Sequence, residues 1–323
     1  MGCIRRRCGL LSGFAILALA CQTPDRVTSR LAAVRSWAIQ LQGLGSDAAI
    51  DALARAPASL LVIEPTRSIR GQTTFPTRTI VRRLQNGGQR LCFAYLNVGQ
   101  AEDYRGYWQP DWQAPHDGAR GSPAFLLTTD PEGWPGNYPV AYWHQGWRAI
   151  LMGHPNALLD QILADGFDGA YLDWVLGYSN PVVAEAAAAD GVDPADAMVT
   201  LIERVRDYAR TRRPEFSIIA QNAAFLVERA PQLLDTIDGL AQEDLSFRGE
   251  ADAAWDDARA GDIATHSQAL LEQLLRSKAH GLPIFTLDYA LESSNAATAR
   301  RISREHGFVP YVARTPLDRL AEP

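Results

Sequence analysis

The chain has 323 residues, of which 47% are hydrophobic and 21% are charged. These values are typical of a globular protein with enough apolar material for a large core. The formal net charge of −6 argues against nucleic acid as a partner, because binding to phosphates needs a basic surface. The length alone fits either one barrel or two smaller domains.

The N-terminus has the layout of a bacterial export signal. Three arginines, Arg5–Arg7, precede an uncharged apolar run from Gly9 to Ala20 that is too short to cross a bilayer as a stable helix. We therefore predict that residues 1–20 are a signal peptide. Because Cys21 directly follows small residues, lipoprotein processing with an acylated Cys21 is the favoured outcome. Cleavage before Cys21 without a lipid is the alternative.

Such processing would leave an exported protein that is lipid-anchored in the bacterial envelope or else secreted or periplasmic. Membrane contact is expected only through a lipid on Cys21. Loss of the three arginines would change the net charge from −6 to about −9, which disfavours nucleic acid further. We interpret residues 21–35 as a tether to the folded domain. The oligomeric state is not predicted.

One cysteine remains in the body of the chain. Cys3 and Cys8 leave with the signal, and Cys21 becomes the terminal residue, so only Cys92 is left. No internal disulfide is then available. Cys92 lies inside an apolar run, which favours a buried inert thiol over a nucleophile.

From Ser36 the chain alternates between short apolar runs and longer helical patterns. The predicted strands are SWAIQLQ (Ser36–Gln42), LLVIEP (Leu60–Pro65), RLCFAYLNVG (Arg90–Gly99), the run that ends at Asp173, SIIAQNA (Ser217–Ala223), DGLAQED (Asp238–Asp244), LPIFTLDYA (Leu282–Ala290) and FVPYVAR (Phe308–Arg314). Helices are predicted over Ser46–Pro57, Thr77–Asn86, Ala157–Gly166, Asp193–Arg213, Asp262–His280 and Asn295–His306. Eight strands separated by helices predict a single α/β domain, a (β/α)8 TIM barrel over residues 36–323.

The fourth predicted strand lies in GFDGAYLDWVLGY, Gly166–Tyr178. Its apolar run ends on a carboxylate, Asp173, and a charge at the end of a buried strand is unfavourable unless another group pairs with it. In a barrel this is the position of catalytic groups. An aspartate that caps the following loop is the alternative for one strand considered alone.

Polar residues end the other predicted strands as well. They are Gln42, Glu64, Asn97, Gln221 with Asn222, Glu243 with Asp244, and Asp288 with Tyr289, and the last strand contributes Tyr311. A ring of such residues predicts a polar site at the C-terminal mouth of the barrel.

The longest irregular segment, residues 100–147, follows the third predicted strand. It contains nine tryptophans and tyrosines: Tyr104, Tyr107, Trp108, Trp112, Trp134, Tyr138, Tyr142, Trp143 and Trp147. A long loop rich in aromatic residues is typically functional rather than disordered, and aromatic faces suit the C–H faces of sugar rings. Several of these rings are expected to form a small satellite core instead.

Two carboxylates that face each other across a barrel are the catalytic groups typical of glycoside hydrolysis. Asp173 and Glu243 end different strands at the same predicted mouth, where one could protonate the leaving oxygen while the other attacks or activates water. The histidines lack the paired spacing of a zinc site, and no GxSxG, P-loop or GxGxxG sequence occurs. No metal or cofactor is expected, with carboxylate-bound Ca²⁺ or Mg²⁺ as the weaker alternative.

Six segments together resemble the endo-α-1,4-polygalactosaminidase family, glycoside hydrolase family 114, whose members were formerly mislabelled as related to cysteinyl-tRNA synthetase. They are YLNVGQAEDYRGYW (Tyr95–Trp108), NYPVAYWHQGW (Asn137–Trp147), GFDGAYLD (Gly166–Asp173), AQN (Ala220–Asn222), DGLAQED (Asp238–Asp244) and LDYA (Leu287–Ala290). The resemblance covers nearly the whole chain after the tether. No HIGH-like or KMSKS-like element supports the synthetase label.

The resemblance implies a TIM barrel that hydrolyses α-1,4-linked galactosaminoglycan or a related amino-sugar polysaccharide. It implies Asp173 as the nucleophile and Glu243 as the acid/base of a retaining mechanism. Residues expected to contact substrate are Glu64, Asn97, Tyr104, Arg105, Trp108, Tyr142, Trp143, Tyr171, Gln221, Asn222, Asp288 and Tyr289. Two positions depart from the family pattern: Gln100 replaces an expected Glu, and Glu64 an expected Asp.

Two other functions stay open at this point. A non-catalytic envelope protein could use the same mouth to bind a glycan, and a glycosidase for another polysaccharide would differ only in the residues around the sugar. A cationic, partly deacetylated polymer would be attracted by an acidic groove, whereas the negative charge could also serve solubility alone.

Overall fold

The computed structural model describes residues 30–116 and 118–321. The predicted signal peptide and Cys21 lie outside these residues. Within the described ranges, no helix has the length and apolar character needed to cross a membrane.

Eight parallel strands form one sheet. They are β1 (Trp37–Gln40), β2 (Leu60–Ile63), β3 (Leu91–Asn97), β6 (Gly169–Asp173), β7 (Ser217–Gln221), β8 (Gly239–Glu243), β11 (Ile284–Tyr289) and β12 (Val309–Ala313), which neighbour one another in that order. Four short strands form two small sheets outside it: β4 (Gln100–Glu102) with β5 (Asn137–Pro139), and β9 (Phe247–Arg248) with β10 (Ile263–Ala264). Each predicted strand is thus found, and the prediction of a (β/α)8 barrel is confirmed.

The first and last strands meet through side-chain and loop contacts, so the sheet is nearly closed. The indole Nε1 of Trp37 donates to the carbonyl of Val309 at 3.0 Å. Beyond the strand ends, the N–H of Leu41 donates to the carbonyl of Leu317 at 2.9 Å. These contacts bring the segment after β12 against the mouth of the barrel.

Large side chains fill the interior of the barrel. Trp37, Tyr171 and Phe285 pack against one another there, with ring centroids 6.1 Å apart for Trp37–Tyr171 and 5.7 Å for Trp37–Phe285. Because side chains alternate along a strand, Asp173 lies on the same inner face as Tyr171, one layer closer to the mouth. Gly169 lies one layer deeper, where a Cβ would be 2.4 Å from the ring of Phe93; the glycine leaves the space that this ring occupies.

The helices surround the sheet. They are α1 (Asp47–Arg55), α2 (Thr77–Leu84), α3 (Gln145–Leu151), α4 (Leu158–Asp165), α5 (Pro181–Ala189), α6 (Pro194–Arg210), α7 (Ala224–Arg229), α8 (Gln268–Ala279) and α9 (Ser293–Glu305). The expected caps form at two helix starts. Ser46 Oγ accepts from the N–H of Ala49 at 3.2 Å. Asp193, directly before Pro194, accepts from the N–H groups of Ala195 and Asp196.

Three details differ from the sequence predictions. Helices α3, α5 and α7 were not predicted, and α8 begins at Gln268 instead of Asp262 because the short strand β10 occupies part of that segment. The tether was expected to extend to residue 35. Leu31, however, is fully buried and Val34 is 3% exposed, so residues 30–35 pack against the barrel as part of the domain.

Candidate active site

A cavity of about 560 Å³ opens at the carboxyl ends of the barrel strands. Its polar lining comes from strand ends and loops and includes Gln42, Glu64, Tyr95, Gln100, Tyr104, Glu132, Asn137, Asp173, Gln221, Asn222, Glu243, Asp244, Tyr289 and Thr315. The predicted pair, Asp173 and Glu243, therefore faces one shared space. The polar site predicted at the mouth of the barrel lies where the strand pattern placed it.

Asp173 is held by two hydrogen bonds, one to each carboxylate oxygen. The hydroxyl of Tyr95 on the neighbouring strand β3 donates to Oδ2 at 2.5 Å, and the N–H of Trp174 donates to Oδ1 at 2.7 Å. Burial, and then the negative charge of Glu243, raise the pKa of Asp173 to about 7, although both hydrogen bonds act to lower it. This carboxyl group can therefore hold or release a proton near neutral pH.

Glu243 is held by three donors from its two neighbouring strands. The hydroxyl of Tyr289 on β11 donates to Oε1 at 2.5 Å. The side-chain amides of Gln221, the last residue of β7, and of Asn222, which follows it, both donate to Oε2, at 3.0 Å in the case of Asn222. Such a set of donors fixes the position of the carboxylate.

Asn222 also fixes the backbone at Glu243. Its Oδ1 accepts from the N–H of Glu243 at 3.0 Å and from the amide of Gln242 at 2.9 Å. This geometry needs a left-handed backbone at Asn222, with φ of 52°, a conformation that asparagine tolerates better than most residues. The prediction that Asn222 serves this site thus has a specific structural basis in its contacts with Glu243.

A third carboxylate, Asp244, lies beside the pair. It has a left-handed backbone with φ of 59°, and within the described ranges its Oδ1 is buried without a hydrogen-bond partner. Burial, and then the charges of Glu243 and Asp288, raise the pKa of Asp244 to about 8. Asp288 is fully buried, and its Oδ1 accepts from the N–H groups of Ser246 and Phe247 at 2.6 and 3.0 Å. Asp288 thus supports the loop after β8 and does not line the cavity.

A buried ion-pair network forms one wall. The guanidinium of Arg105 donates to both oxygens of Glu64, at 2.5 and 3.1 Å, and to Glu102 at 2.7 Å. Tyr104 donates to the other oxygen of Glu102 at 2.5 Å. Glu64 and Tyr104 line the cavity as predicted, whereas Arg105 is only 1% exposed. The expectation that Arg105 contacts substrate is corrected: its donors are used within the wall.

Other predicted contact residues do not line the cavity either. Tyr142 is fully buried and its hydroxyl donates to the carbonyl of Pro194 at 2.7 Å, while the indole of Trp143 donates to Asp190 at 2.8 Å. Trp108 packs against Trp112 at a centroid distance of 5.2 Å. These residues hold the long segment in place. This is the alternative stated above, in which several of its aromatic rings form a small satellite core.

Asn97 and Tyr171 are buried next to the site. Asn97 Oδ1 accepts from the N–H groups of Gly99 and Gln100, and its amide donates to the side chain of Gln100. Tyr171 lies in the barrel interior below Asp173, and its hydroxyl has no partner among the described residues. Neither residue lines the cavity.

The lining residues missed in the sequence include Tyr95, Glu132 and Trp174. Tyr95 could have been found, because it lies two positions before Asn97 on the same strand and so shares its inward face. Glu132 carries no such signal, since it comes from the irregular segment between β4 and β5. Trp134 of the same segment is one of the aromatic residues considered for sugar contact, and it lines the cavity.

The ionisable groups that line the cavity, apart from tyrosines, are five acids: Glu64, Glu132, Asp173, Glu243 and Asp244. No lysine, arginine or histidine is part of the lining formed by the described residues. In those same ranges no group of three or more His, Cys, Asp or Glu side chains has the arrangement of a metal site. The remaining body cysteine, Cys92, is buried on β3, and burial raises the pKa of its thiol, in agreement with an inert role.

Solved structures share this fold. The chain is similar to Aspergillus fumigatus Ega3 in complex with galactosamine, with a TM-score of 0.62 and 17% identity over 89% of this chain and 94% of that chain. It is also similar to the glycoside hydrolase domain of PelA from Pseudomonas aeruginosa, with a TM-score of 0.59 and 18% identity over 88% and 96% of the two chains. At these identities the similarity concerns the fold.

Sequence relatives cover most of the chain. An uncharacterized protein of Deinococcus radiodurans is 34% identical over 92% of this chain and 86% of its own length. A protein of Methanocaldococcus jannaschii, also uncharacterized, is 30% identical over 86% of this chain and 75% of its own length. Residues 18–322 match the family model of glycoside-hydrolase family GH114. The resemblance found in the sequence motifs is therefore confirmed, and the chain belongs to glycoside-hydrolase family GH114 and is a glycosidase.

Proposed function

We propose that the protein cleaves a galactosamine-containing polysaccharide, α-1,4-linked as the family resemblance implies, and that Asp173 and Glu243 carry the reaction. The observation that supports this most is the arrangement of the two carboxylates. Each faces the same cavity, and each accepts a 2.5 Å hydrogen bond from a tyrosine on an adjacent strand.

The proposed reaction has two steps and retains the anomeric configuration. In the first, an oxygen of Asp173 attacks the anomeric carbon while the glycosidic C–O bond breaks, and Glu243 gives its proton to the leaving oxygen. In the second, Glu243 takes a proton from water, whose oxygen attacks the same carbon and releases Asp173. The tyrosine and amide donors keep both carboxylates in position, so these side chains need to move little during the reaction.

The protonation of Asp173 sets the pH range of this scheme. Burial, and then the charge of Glu243, raise the pKa of Asp173 to about 7, so this carboxyl group becomes ionised as the pH rises through about 7. Because a carboxyl group attacks in its ionised form, the first step should become faster over the same range. The division of roles follows the resemblance, which implies Asp173 as the nucleophile.

The charge of the cavity favours an amino sugar as substrate. Five acids and no basic side chain among its described lining residues would attract a polymer with protonated amino groups. The similar fold of Ega3 has been solved in complex with galactosamine, which supports the same sugar class here.

Release of reducing ends tests the proposal. Wild type should cleave α-1,4-galactosaminoglycan, and Asp173→Asn and Glu243→Gln should each lose activity by about three orders of magnitude or more. On a substrate with a good leaving group, azide should accelerate Glu243→Ala, because only the second step then lacks its base. Retained product configuration by NMR completes the assignment. A wild type that binds the polymer without cleaving it would contradict the proposal and identify a glycan-binding protein.

A further inference from the structure

A short segment between β4 and β5, residues 130–136, reaches over the cavity from outside the barrel. Glu132, Trp134 and Pro135 line the cavity on this side. Asp130 organises the segment, because its Oδ1 accepts from the N–H groups of Glu132 and Trp134 at 2.8 and 3.0 Å. The turn conformation is therefore defined before any ligand binds.

Gln100 fixes Asp130 to the barrel. The amide nitrogen of Gln100 donates to Asp130 Oδ2 at 2.5 Å, and the amide oxygen accepts from Asn97 at 3.1 Å. Gln100 is 1% exposed and Asp130 is 9% exposed, so water screens this contact little. A glutamate at position 100 would set two carboxylates against each other, which is strongly unfavourable in a buried site. The hydrogen bond to Asp130 thus gives a physical reason for the glutamine that replaces the expected glutamate at position 100.

Glu132 presents a carboxylate to the cavity without a cation beside it. Within the described ranges it has no hydrogen bond or ion pair through its side chain, and its backbone alone is bound, to Asp130. Burial, and then the negative charges of Glu243 and Asp130, raise the pKa of Glu132. A cation bound in the cavity would relieve this repulsion.

Trp134 supplies the second element of recognition. It lies two residues after Glu132 on the same segment and lines the same cavity. An indole face packs well against the C–H face of a sugar ring and also attracts a cation. A ligand with a C–H face and one positive charge, an amino sugar, matches a carboxylate and an indole that line the same cavity from one short segment.

We propose that Glu132 and Trp134 together bind one protonated galactosamine unit of the substrate, and that the Gln100–Asp130 hydrogen bond positions these two side chains. Glu132 is then a specificity-determining residue for deacetylated polymer, Trp134 contributes to binding of any galactosamine polymer, and Gln100 is a positioning residue. This inference rests on the proposed function, since it concerns the substrate of the same cavity.

The first test compares Glu132→Gln with wild type on deacetylated and N-acetylated galactosamine oligomers at about pH 6.5, where amino groups are largely protonated. The variant should raise KM for the deacetylated oligomers about five- to tenfold, with kcat unchanged, and leave KM for the acetylated oligomers within about twofold. Added salt should weaken the wild-type preference and have less effect on the variant. Trp134→Ala is the matched comparison and should raise KM about tenfold on both substrates.

The second test changes both residues of the Gln100–Asp130 hydrogen bond. Gln100→Glu alone should raise KM on both substrates, because the segment that carries Glu132 and Trp134 loses its attachment. The double variant Gln100→Glu, Asp130→Asn should restore KM to within about threefold of wild type. The introduced asparagine can donate to the introduced glutamate and still accept from both N–H groups. A rescue of this kind separates positioning from a general loss of folding.

Three results would overturn the inference. They are equal effects of Glu132→Gln on both substrates, no effect on either, and failure of the double variant to recover while its thermal unfolding matches that of wild type. If wild type cleaves neither substrate, the proposed function fails, and equilibrium binding of the same oligomers to wild type and Glu132→Gln decides the inference. Equal affinities, or no binding, would then refute it.

Discussion

The hydroxyl of Tyr95 lies 2.5 Å from Oδ2 of Asp173, across the neighbouring strands β3 and β6. The register explains the contact, because Asn97 pairs with Asp173 and Tyr95 pairs with Tyr171 one layer below. A long tyrosine side chain on the inner face therefore reaches upward to the carboxylate that ends the next strand. Tyr289 on β11 also donates to a carboxylate on a neighbouring strand, Glu243 of β8, but from the mouth side, because Leu287 pairs with Glu243 and Tyr289 lies two positions further along.

Removal of the Tyr95 hydroxyl should shift the pH dependence of activity. Burial and the charge of Glu243 raise the pKa of Asp173, whereas the hydrogen bond from Tyr95 lowers it. Tyr95→Phe loses that bond, so the pKa should rise, and the acidic limb of the kcat/KM profile should move to higher pH. A fall in kcat of about tenfold to a hundredfold is expected from the lost positioning.

The control for this experiment is Tyr208→Phe, which removes a hydroxyl that donates to Asp160 at 2.7 Å on the outside of the barrel. Its pH profile should match that of wild type. An acidic limb that stays in place or moves to lower pH in Tyr95→Phe would contradict the role given to Tyr95.

Asp173→Asn should stabilise the protein by an amount that grows as the pH rises from about 4 to about 7. The folded-state pKa of about 7 lies above the value of about 3.9 for an unfolded chain. The folded protein therefore binds the extra proton, and the unfolding free energy of wild type falls as the pH rises from about 4 to about 7. The asparagine does not titrate, so its advantage should grow over that interval to roughly 1–3 kcal/mol.

Thermal unfolding at two pH values measures this difference. At about pH 8 the variant should unfold roughly 2–8 °C above wild type, with little difference near pH 4. Asp207→Asn serves as the comparison, because the side chain of Asp207 is 67% exposed, and it should change little at either pH. A variant that is less stable than wild type at pH 8 would show that the buried charge of Asp173 does not destabilise the folded protein.

Much of this site could be predicted because the residues that form it end regular elements. The apolar run of β6 ends at Asp173 and that of β8 ends at Glu243, and parallel strands bring their carboxyl ends to one edge. Asn222 follows β7 for the same reason. The strand pattern alone therefore located these side chains at one mouth.

The rest depended on contacts between residues far apart in the sequence. Glu132 and Trp134 reach the cavity because Gln100 binds Asp130, thirty positions along the chain, and no local pattern encodes that contact. The aromatic segment misled the prediction for Tyr142, since an aromatic ring in a loop packs as readily into a core as against a sugar. Its hydroxyl is bound by the carbonyl of Pro194 at the start of α6, an element predicted without any link to Tyr142.

Lipid attachment at Cys21 stays a prediction from the sequence and is directly testable. In a bacterial host, wild type should incorporate a labelled fatty acid and partition into the detergent phase. Cys21→Ala should incorporate none and partition into the aqueous phase. Equal labelling of the two proteins would contradict acylation at Cys21, and an unlabelled wild type cleaved before residue 21 would support the alternative without lipid.

Arg105→Met should destabilise the domain strongly, because Arg105 neutralises two buried carboxylates at once. Its guanidinium contacts Glu64 and Glu102, and the side chains of all three residues are at most 7% exposed. Loss of one partner from such a buried network typically lowers the unfolding free energy by about 3–5 kcal/mol, since the remaining charges stay in a poorly solvated place. Arg301→Met is the matched control, because Arg301 pairs with Glu305 on the exposed face of α9, where a pair contributes about 0.3–0.5 kcal/mol.

Urea unfolding of both variants measures the difference. A loss below about 1 kcal/mol for Arg105→Met would mean that Glu64 and Glu102 become protonated or reach water, and that the wall of the cavity does not depend on this ion pair.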